Sequence, residues 1–214
     1  MADAIIGVNV KVEIQSALGS ALTVTAVTAA TPPVATSTAH GLANGDVVVF
    51  TVDAGMVELD GQAVRVANVA ANTFELEGII GVGYTAWTAG TAKKVTTFAT
   101  FSKSQNITMP NPAPARIDTT TLIDKTKQYM FGLPDAPQGT IKALYNPNGT
   151  AEALIFAATK ANLPLVFRVT FAAGQKTIFN ANVSGGTGFT LAQNAAADSD
   201  VAFSPRKDVM AYAT

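Results

Sequence analysis

Apolar and polar positions alternate with a period of two along much of this chain, as is typical of β-strands that bury one face. Valine and isoleucine alternate with polar residues from Val8 to Ile14, and Gly19-Ser20 is expected to end that strand. The same alternation covers residues 165–171, and residues 172–175 are expected to turn the chain into a return strand. The pattern therefore predicts a fold made mainly of strands.

One segment, residues 149–162, has the apolar period of a helix instead. Its core-facing stripe consists of Ala151, Leu154, Ile155 and Ala158. Asn148 and Thr150 are alternative N-caps, and the sequence Asn162-Leu-Pro164 is expected to end the helix. The predicted fold class is all-β with one helix.

Residues 22–92 have the pattern of a compact β module of their own. Strong strand-like runs at 47–52 and 63–69 are separated by glycine-containing turns. The module has a net charge of −5, from six acids against Arg65, while the remainder has nine acids and thirteen bases, or +4. The six acids are Asp46, Asp53, Glu58, Asp60, Glu75 and Glu77. This break in composition predicts two separately built units.

The overall composition favours self-association. Hydrophobic residues make up 48% of the chain and charged residues only 14%, which leaves little charge to cover the surface of a monomer. The basic excess outside the module is scattered, which argues against a nucleic-acid-binding groove. No long apolar segment predicts a membrane span. The start Met1-Ala-Asp-Ala lacks a basic signal region, so a cytoplasmic site of synthesis is expected.

Prolines interrupt the strand pattern in the sequence Met109-Pro-Asn-Pro-Ala-Pro-Ala115. Each proline removes a backbone donor, so this stretch cannot continue a central strand. Residues 109–115 are therefore predicted to be an extended, polyproline-like stretch within a Pro-rich loop at 105–116.

Catalytic side chains are sparse. The chain has no cysteine, and its one histidine, His40, lies where a turn into a hairpin at Gly45 is expected. No activated-serine pattern accompanies it, so a structural role in that turn is favoured over catalysis. Asp118 and Asp124 are six residues apart across an expected strand end and need not share a face.

Binding motifs are equally weak. Asp198 and Asp200 lack the further ligands of a calcium loop, and a solvated turn is favoured for them. Two glycine-rich segments, 81–83 and 185–188, do not join a strand to a helix, so phosphate binding is not expected. Trp87 near Tyr84 is interpreted as a core or interface pair in preference to a sugar-stacking pair. We predict no catalytic, cofactor-binding or metal-binding residue.

The second half of the chain contains an ordered set of short motifs. They are Arg116-Ile-Asp-Thr-Thr-Thr-Leu122, Tyr129-Met-Phe-Gly-Leu133, Tyr145-Asn-Pro-Asn-Gly149 before the helix, and the hairpin of Leu165–Phe171 with a return strand from Ile178 to Val183. This set resembles the major tail tube protein of long-tailed bacteriophages.

The module carries a resemblance of its own. The sequence His40-Gly-Leu-Ala-Asn-Gly-Asp46, then Leu59-Asp-Gly61 and a run from Val66 to Leu76, is similar to a small β-barrel insert of phage structural proteins. That insert is related to a β-domain of ubiquitin-activating enzymes. The resemblance implies a fold and no ubiquitin-related activity.

Together the resemblances imply an architecture. Residues 1–21 and 93–214 would form a tail tube domain, a β-sandwich or rolled barrel, and residues 22–92 a module on its outer surface. Six subunits per ring would stack into a hollow tube in the virion tail, assembled in the host bacterial cytoplasm. Tail terminator, tape measure and baseplate proteins would be partners, and duplex DNA would pass through without specific binding. A non-contractile tail is favoured, because a contractile sheath would collide with the module.

Three alternatives stay open at this point. One is the tube protein of a contractile tail or injection machine. Another is a glycan-binding surface protein that uses the region around Trp87. The third is a small hydrolase that uses His40.

Overall fold

The computed structural model describes residues 9–110, 113–133, 136–185, 188–193 and 196–213. These residues form one α-helix, α1, at Thr150–Ala161, and fifteen strands. The strands are β1 Lys11–Val24, β2 Ala26–Val27, β3 Val34–Thr36, β4 Val47–Ala54, β5 Ala63–Ala67, β6 Thr73–Leu76, β7 Ala89–Thr100, β8 Ser104–Thr108, β9 Arg116–Asp118, β10 Tyr129–Phe131, β11 Gly139–Leu144, β12 Leu165–Thr170, β13 Lys176–Gly185, β14 Asp198–Pro205 and β15 Met210–Tyr212. The predicted class, all-β with one helix, is confirmed.

Thirteen of the strands belong to one antiparallel sheet. Its order is β2-β3-β6-β5-β4-β7-β1-β12-β13-β14-β11-β8, with β15 paired to β13 outside this path. The remaining two strands, β9 and β10, form a separate two-stranded ribbon. The sheet therefore runs without interruption from the predicted module into the rest of the chain.

The long strands β1 and β7 make that continuity. They pair from Glu13 opposite Thr100 to Val24 opposite Gly90, with irregular register between Gln15 and Ala21. The expected strand end at Gly19-Ser20 is wrong, because the bulged pairing with β7 absorbs the glycine within the strand. The strand pair crosses both of the predicted domain boundaries.

Three apolar clusters fill the interior. The first lies under α1 and contains Phe167, Phe179 and Phe203, whose ring centroids are 5.2–5.5 Å apart. The second fills the predicted module around Phe50 and Phe74. The third joins the two parts and consists of Val47, Ala63, Val95, Val166, Ile178 and Tyr212. The module thus has a core of its own and also shares one with the rest of the chain.

The helix lies where its period predicts, but its cap differs. Gly149 is the N-cap, with no side-chain hydrogen bond, so the proposed caps Asn148 and Thr150 are wrong. Thr150 is already the first helical residue, and the N–H of Ala153 bonds to the carbonyl of Gly149. At the other end, Asn162 has φ 50° and closes the helix in the left-handed conformation.

The predicted loop at 105–116 is too long at both ends. Residues up to Thr108 belong to strand β8, which pairs with β11, and Arg116 begins β9. Among the described residues, β8 pairs only with β11. The strand ends at Thr108, so Pro110, which has no N–H to donate, lies outside this pairing. Residues 111 and 112, in the middle of the predicted loop, lie outside the described residues.

Candidate assembly surface

A hairpin of exposed apolar residues projects from the large sheet. Its two strands, β9 and β10, pair Tyr129 with Asp118, Met130 with Ile117 and Phe131 with Arg116. Every residue of both strands is exposed, and within the described residues they pair with no other strand. The large exposed apolar side chains of this arm are Ile117, Leu122, Ile123, Tyr129, Met130, Phe131 and Leu133. We call residues 116–133 the exposed hairpin.

The tip of the exposed hairpin is a well-bonded turn. The Asp124 N–H donates to the Thr121 carbonyl at 3.1 Å, and both the N–H and the hydroxyl of Thr121 donate to the Asp124 carboxylate at 2.8 Å. Leu122 and Ile123 occupy the two central positions, with relative exposures of 107% and 91%. Polar residues and glycine are the usual choice at such positions, so this turn presents an apolar tip in a fixed geometry.

The carboxylates of the hairpin are bonded and ionised. The Thr120 hydroxyl and then its N–H hold the pKa of Asp118 below its ordinary value. The Thr121 N–H and then its hydroxyl do the same for the pKa of Asp124. Each carboxylate has its own threonine partner, so the structure does not bring the two together as a catalytic pair.

The large sheet ends in a second feature suited to assembly. Strand β8 is its terminal strand, and in the described part of the chain its other edge has no strand partner. Unpaired N–H and C=O groups at such an edge are a template for pairing with another chain. The exposed hairpin and this edge together suit a protein that completes its contacts by association.

A groove of about 780 Å³ lies on the side of the sheet covered by α1. Its lining includes Leu18 of β1, Lys93 of β7, Leu154 and Ala157 of α1, Leu163 after the helix and Arg206 after β14. Leu18 and Leu163 are both exposed, although both are large and apolar. The groove is thus an apolar trough with cations at its rim.

The family of the chain follows from a comparison with known proteins. A model of the family described as "Phage tail tube protein, TTP" matches residues 54–214, which is 161 of the 214 residues. The chain belongs to the phage tail tube protein family. No curated protein matched the chain.

The match confirms the resemblance found in the motifs after residue 116. This tail tube family member is a structural component of a phage tail, one subunit of a larger assembly in the virion. The match begins at Ala54, the last residue of β4 and inside the predicted module. The division into a tube domain and an inserted module stays a prediction.

His40 has a structural role in this chain, because hydrogen bonds and packing fix its ring. Its Nδ1 accepts from the Leu42 N–H at 3.1 Å, so its Nε2 carries the proton that it donates to the Ala70 carbonyl at 3.0 Å. The ring is buried and packs edge-on against Phe74, with centroids 5.2 Å apart. Both ring nitrogens are therefore engaged in fixing the turn.

The aromatic pair of the module is part of its packing. Trp87 donates its indole N–H to the Val24 carbonyl at 3.1 Å and lies edge-on to Phe50, with centroids 6.1 Å apart. Tyr84 packs against the same core, and burial first, then the charges of Asp208 and Glu58, raise the pKa of its phenol. The two rings therefore do not form an open stacking platform.

The remaining sequence candidates take ordinary structural places. Asp198 and Asp200 are exposed residues of β14, so the solvated turn expected for them is wrong. They alternate with the buried Ser199 and Val201, as the period of a strand requires. Gly81, in the first glycine-rich segment, lies against the Ala30 backbone. Residues 186 and 187 of the second glycine-rich segment lie outside the described residues.

Within the described residues, no group of three or more histidines and acids is arranged to hold a metal ion. The same residues include no helix with the length and apolar character to cross a bilayer.

Neither sequence motif nor period pointed to the exposed hairpin as the principal surface. The motif from Arg116 to Leu122 was visible, but apolar residues in a sequence are ordinarily assigned to a core. Their exposure distinguishes them, and that is a property of the folded chain.

Proposed function

We propose that the chain forms six-membered rings that stack into a hollow tube, through which duplex DNA passes from capsid to host cell. The proposal includes assembly in the host cytoplasm and contacts with tail terminator, tape measure and baseplate proteins. A non-contractile tail is preferred, and a contractile tail or injection machine is the alternative. Family membership supports the general role, and the structure supports self-association.

The exposed hairpin is the observation that carries the proposal. Burying a large apolar side chain contributes about 1.5–3 kcal/mol, so an arm with seven of them is costly to leave in water. A partner must therefore cover it in the working protein. A second copy of the chain is present wherever the first is, and repeated use of one contact produces a ring when the rotation between neighbouring subunits closes.

The unpaired edge of β8 supports the same proposal. Edge-to-edge pairing between subunits would continue the sheet around a closed ring and leave no edge exposed. The prolines that follow β8 limit the conformations of the loop beyond it. We propose that residues 105–116 and the chain termini contact the next ring.

Passage of DNA requires a lumen that does not hold phosphates. We propose that Thr, Ser, Asn, Gln and acids line the bore, because many fixed cations would retain the duplex. The cations Lys93, Lys94, Lys125, Lys127, Arg206 and Lys207 would then lie on outer walls or in ion pairs. Lys94 lies 2.6 Å from Asp46, and Lys207 donates to the Val57 carbonyl at 3.2 Å.

The position of residues 22–92 is part of the proposal. Ring faces must stack and the bore must stay open, so we place the module on the outer wall. Its shared core with β13 fixes it to the rest of the subunit without using the exposed hairpin. A contractile sheath would meet the module in this position.

Negative-stain microscopy of the purified protein over a concentration series tests the proposal. We expect rings with sixfold symmetry and stacked tubes with a central channel. Tubes should also show no salt-sensitive binding of duplex DNA. Particles of single subunits at every concentration would contradict the proposal, and tubes that retain DNA at low salt would contradict the lumen assignment.

A further inference from the structure

The chain contains two Asn-Gly dipeptides, Asn44-Gly45 and Asn148-Gly149, and their hydrogen bonds differ. We infer that Asn148 is a site of spontaneous deamidation in the folded protein, that Asn44 is protected from it, and that the isomerised product weakens the turn before α1. The inference does not depend on the proposed tube.

The reaction needs only the chain and water. The backbone nitrogen of Gly149 forms a bond to the side-chain carbonyl carbon of Asn148, and the bond from that carbon to the amide nitrogen breaks, so that ammonia leaves. The Gly149 nitrogen loses its proton to solvent base, and the departing nitrogen takes one up. Water then opens the cyclic succinimide at either of its carbonyls, which produces aspartate or isoaspartate at position 148.

Gly149 makes the attack easy and cannot readily be replaced. Glycine has no side chain to shield its backbone nitrogen from the preceding asparagine. A Cβ at this position would overlap the Glu152 carboxylate and approach the Asn146 side-chain nitrogen to 2.9 Å. Glu152 is buried, so its carboxylate has little room to move aside. The start of α1 therefore requires the residue that makes Asn148 reactive.

Asn44 is held at both of its reacting groups. Its side-chain oxygen accepts the Val69 N–H at 2.9 Å, and the Gly45 N–H donates to the Val66 carbonyl at 2.8 Å. Ring closure has to turn the Asn44 side chain toward the Gly45 nitrogen, which breaks the first bond. It also removes the proton of that nitrogen, which breaks the second.

Asn148 is exposed and lies in a turn with a single local bond. The Gly149 N–H donates to the Asn146 carbonyl at 3.0 Å within the same turn. In the part of the chain that the structure describes, no hydrogen bond restrains the Asn148 side chain. Ring closure at Asn148 therefore breaks one hydrogen bond where ring closure at Asn44 breaks two.

Deamidation places a new negative charge beside the N-terminus of α1. Gly149 is the N-cap and Thr150 is the first helical residue, so the carboxylate lies next to the positive end of the helix dipole. A normal aspartate is compatible with this place. Isoaspartate adds one backbone atom between positions 148 and 149, and so it disrupts the turn bond from Gly149 to Asn146.

Peptide mapping by mass spectrometry tests the difference between the two sites. The full chain is kept folded in mildly alkaline buffer, and the deamidated fraction at each Asn-Gly dipeptide is followed over time. We expect Asn148 to react at least about fivefold faster than Asn44, because one further hydrogen bond implies a factor of this size. Equal rates, or a faster reaction at Asn44, would overturn the inference.

The unfolded chain is the control for the effect of sequence. In concentrated urea neither turn is formed, and glycine follows both asparagines, so the two sites should react at similar rates. If the ratio of the two rates is as large in urea as in buffer, the fold does not protect Asn44 and the inference fails.

Asn148→Gln is the matched variant, because its exposed position should leave the fold intact. Glutamine closes its larger ring far more slowly than asparagine. The acidic form that anion-exchange chromatography separates from the aged wild type should therefore fall severalfold in the variant. Equal acidic fractions in the two proteins would place the reaction elsewhere in the chain and contradict the assignment to Asn148.

Urea denaturation tests the effect on the turn. Asn148→Asp should unfold at the urea concentration of the wild type or at a higher one. In the aged wild type, a fraction equal to its isoaspartate content should unfold at a lower concentration. An aged chain that unfolds as one population together with Asn148→Asp would show that isoaspartate leaves the turn intact and would refute this part of the inference.

Discussion

The backbone N–H of Arg65 in β5 donates to the phenolic oxygen of Tyr212 in β15 at 2.9 Å. The Arg65 guanidinium also lies 4.6 Å from the centroid of the Tyr212 ring and pairs with Glu77. One residue of the predicted module is thereby fixed to the last strand of the chain. The contact is mostly buried, so it links the stability of the two parts.

Removing the phenolic oxygen should weaken this link. Tyr212→Phe leaves the Arg65 N–H without its partner in a buried place, which costs about 1–3 kcal/mol of unfolding free energy. Urea denaturation at neutral pH measures the loss. Tyr129→Phe, at an exposed position, is the matched control and should change the free energy by less than about 0.5 kcal/mol.

The same phenol should make the fold sensitive to alkali. Burial raises the pKa of Tyr212 from 10.0 to about 12, despite the hydrogen bond from Arg65, which lowers it. Because the folded state favours the neutral phenol, its stabilisation is present below pH 10 and is lost as pH rises through 12. Two units correspond to about 2–3 kcal/mol.

Urea denaturation between pH 9 and about pH 12 checks this. We expect wild type and Tyr129→Phe to lose more free energy of unfolding across this window than Tyr212→Phe. Parallel curves for all three proteins would show that Tyr212 ionises as freely in the folded state as in the unfolded one.

An acidic group shows the opposite pH dependence. Glu13 is buried in β1, which raises its pKa, but hydrogen bonds from Arg168 at 2.7 Å and Lys11 at 2.6 Å outweigh the burial, so its pKa lies below 4.5. Its stabilisation is present above pH 4.5 and is lost as pH falls through the lower folded pKa.

Glu13→Gln should therefore cost about 1–3 kcal/mol at neutral pH, as expected for hydrogen bonds to a charged group. The difference from wild type should shrink in acid, which urea titrations at a series of pH values measure. A difference that stays constant from neutral pH down to acid would contradict the assignment.

The shared apolar cluster predicts that the two parts unfold together. Ile178 lies in β13 and is fully buried against Val47 and Ala63 of the module. Ile178→Ala should cost about 2–5 kcal/mol, and the fluorescence of Trp87, the one tryptophan of the chain, should report the loss.

Circular dichroism of α1 provides the comparison for that experiment. Its unfolding transition should coincide with the Trp87 transition in wild type and in Ile178→Ala alike. Two separated transitions would show that residues 22–92 fold as an independent unit.

The sequence predicts the local elements well, because they follow from the spacing of nearby residues. The period of residues 149–162 places α1 to within a residue at each end, and the alternation of residues 165–171 places β12. Gly19 was misjudged because its strand is sustained by β7, about eighty residues away along the chain. That pairing is a long-range contact that no local pattern records.

The assembly surface could not be predicted from the sequence for a different reason. Ile117 and Met130 have the apolar character of core residues, and β10 is too short to show a clear period. Their exposure depends on where the rest of the chain leaves the hairpin. The role of His40 in a turn, by contrast, followed from its glycine-rich neighbours.

Sedimentation velocity tests the central claim, that the exposed hairpin drives self-assembly, most directly. The comparison is between wild type and a variant with Ile117→Ser and Met130→Ser, two opposed exposed residues of the hairpin. We predict that wild type sediments at six times the 22.0 kDa of one chain, and larger, as concentration rises, while the folded variant stays at 22.0 kDa. A monomeric wild type, or a variant that assembles as well as wild type, would contradict the account.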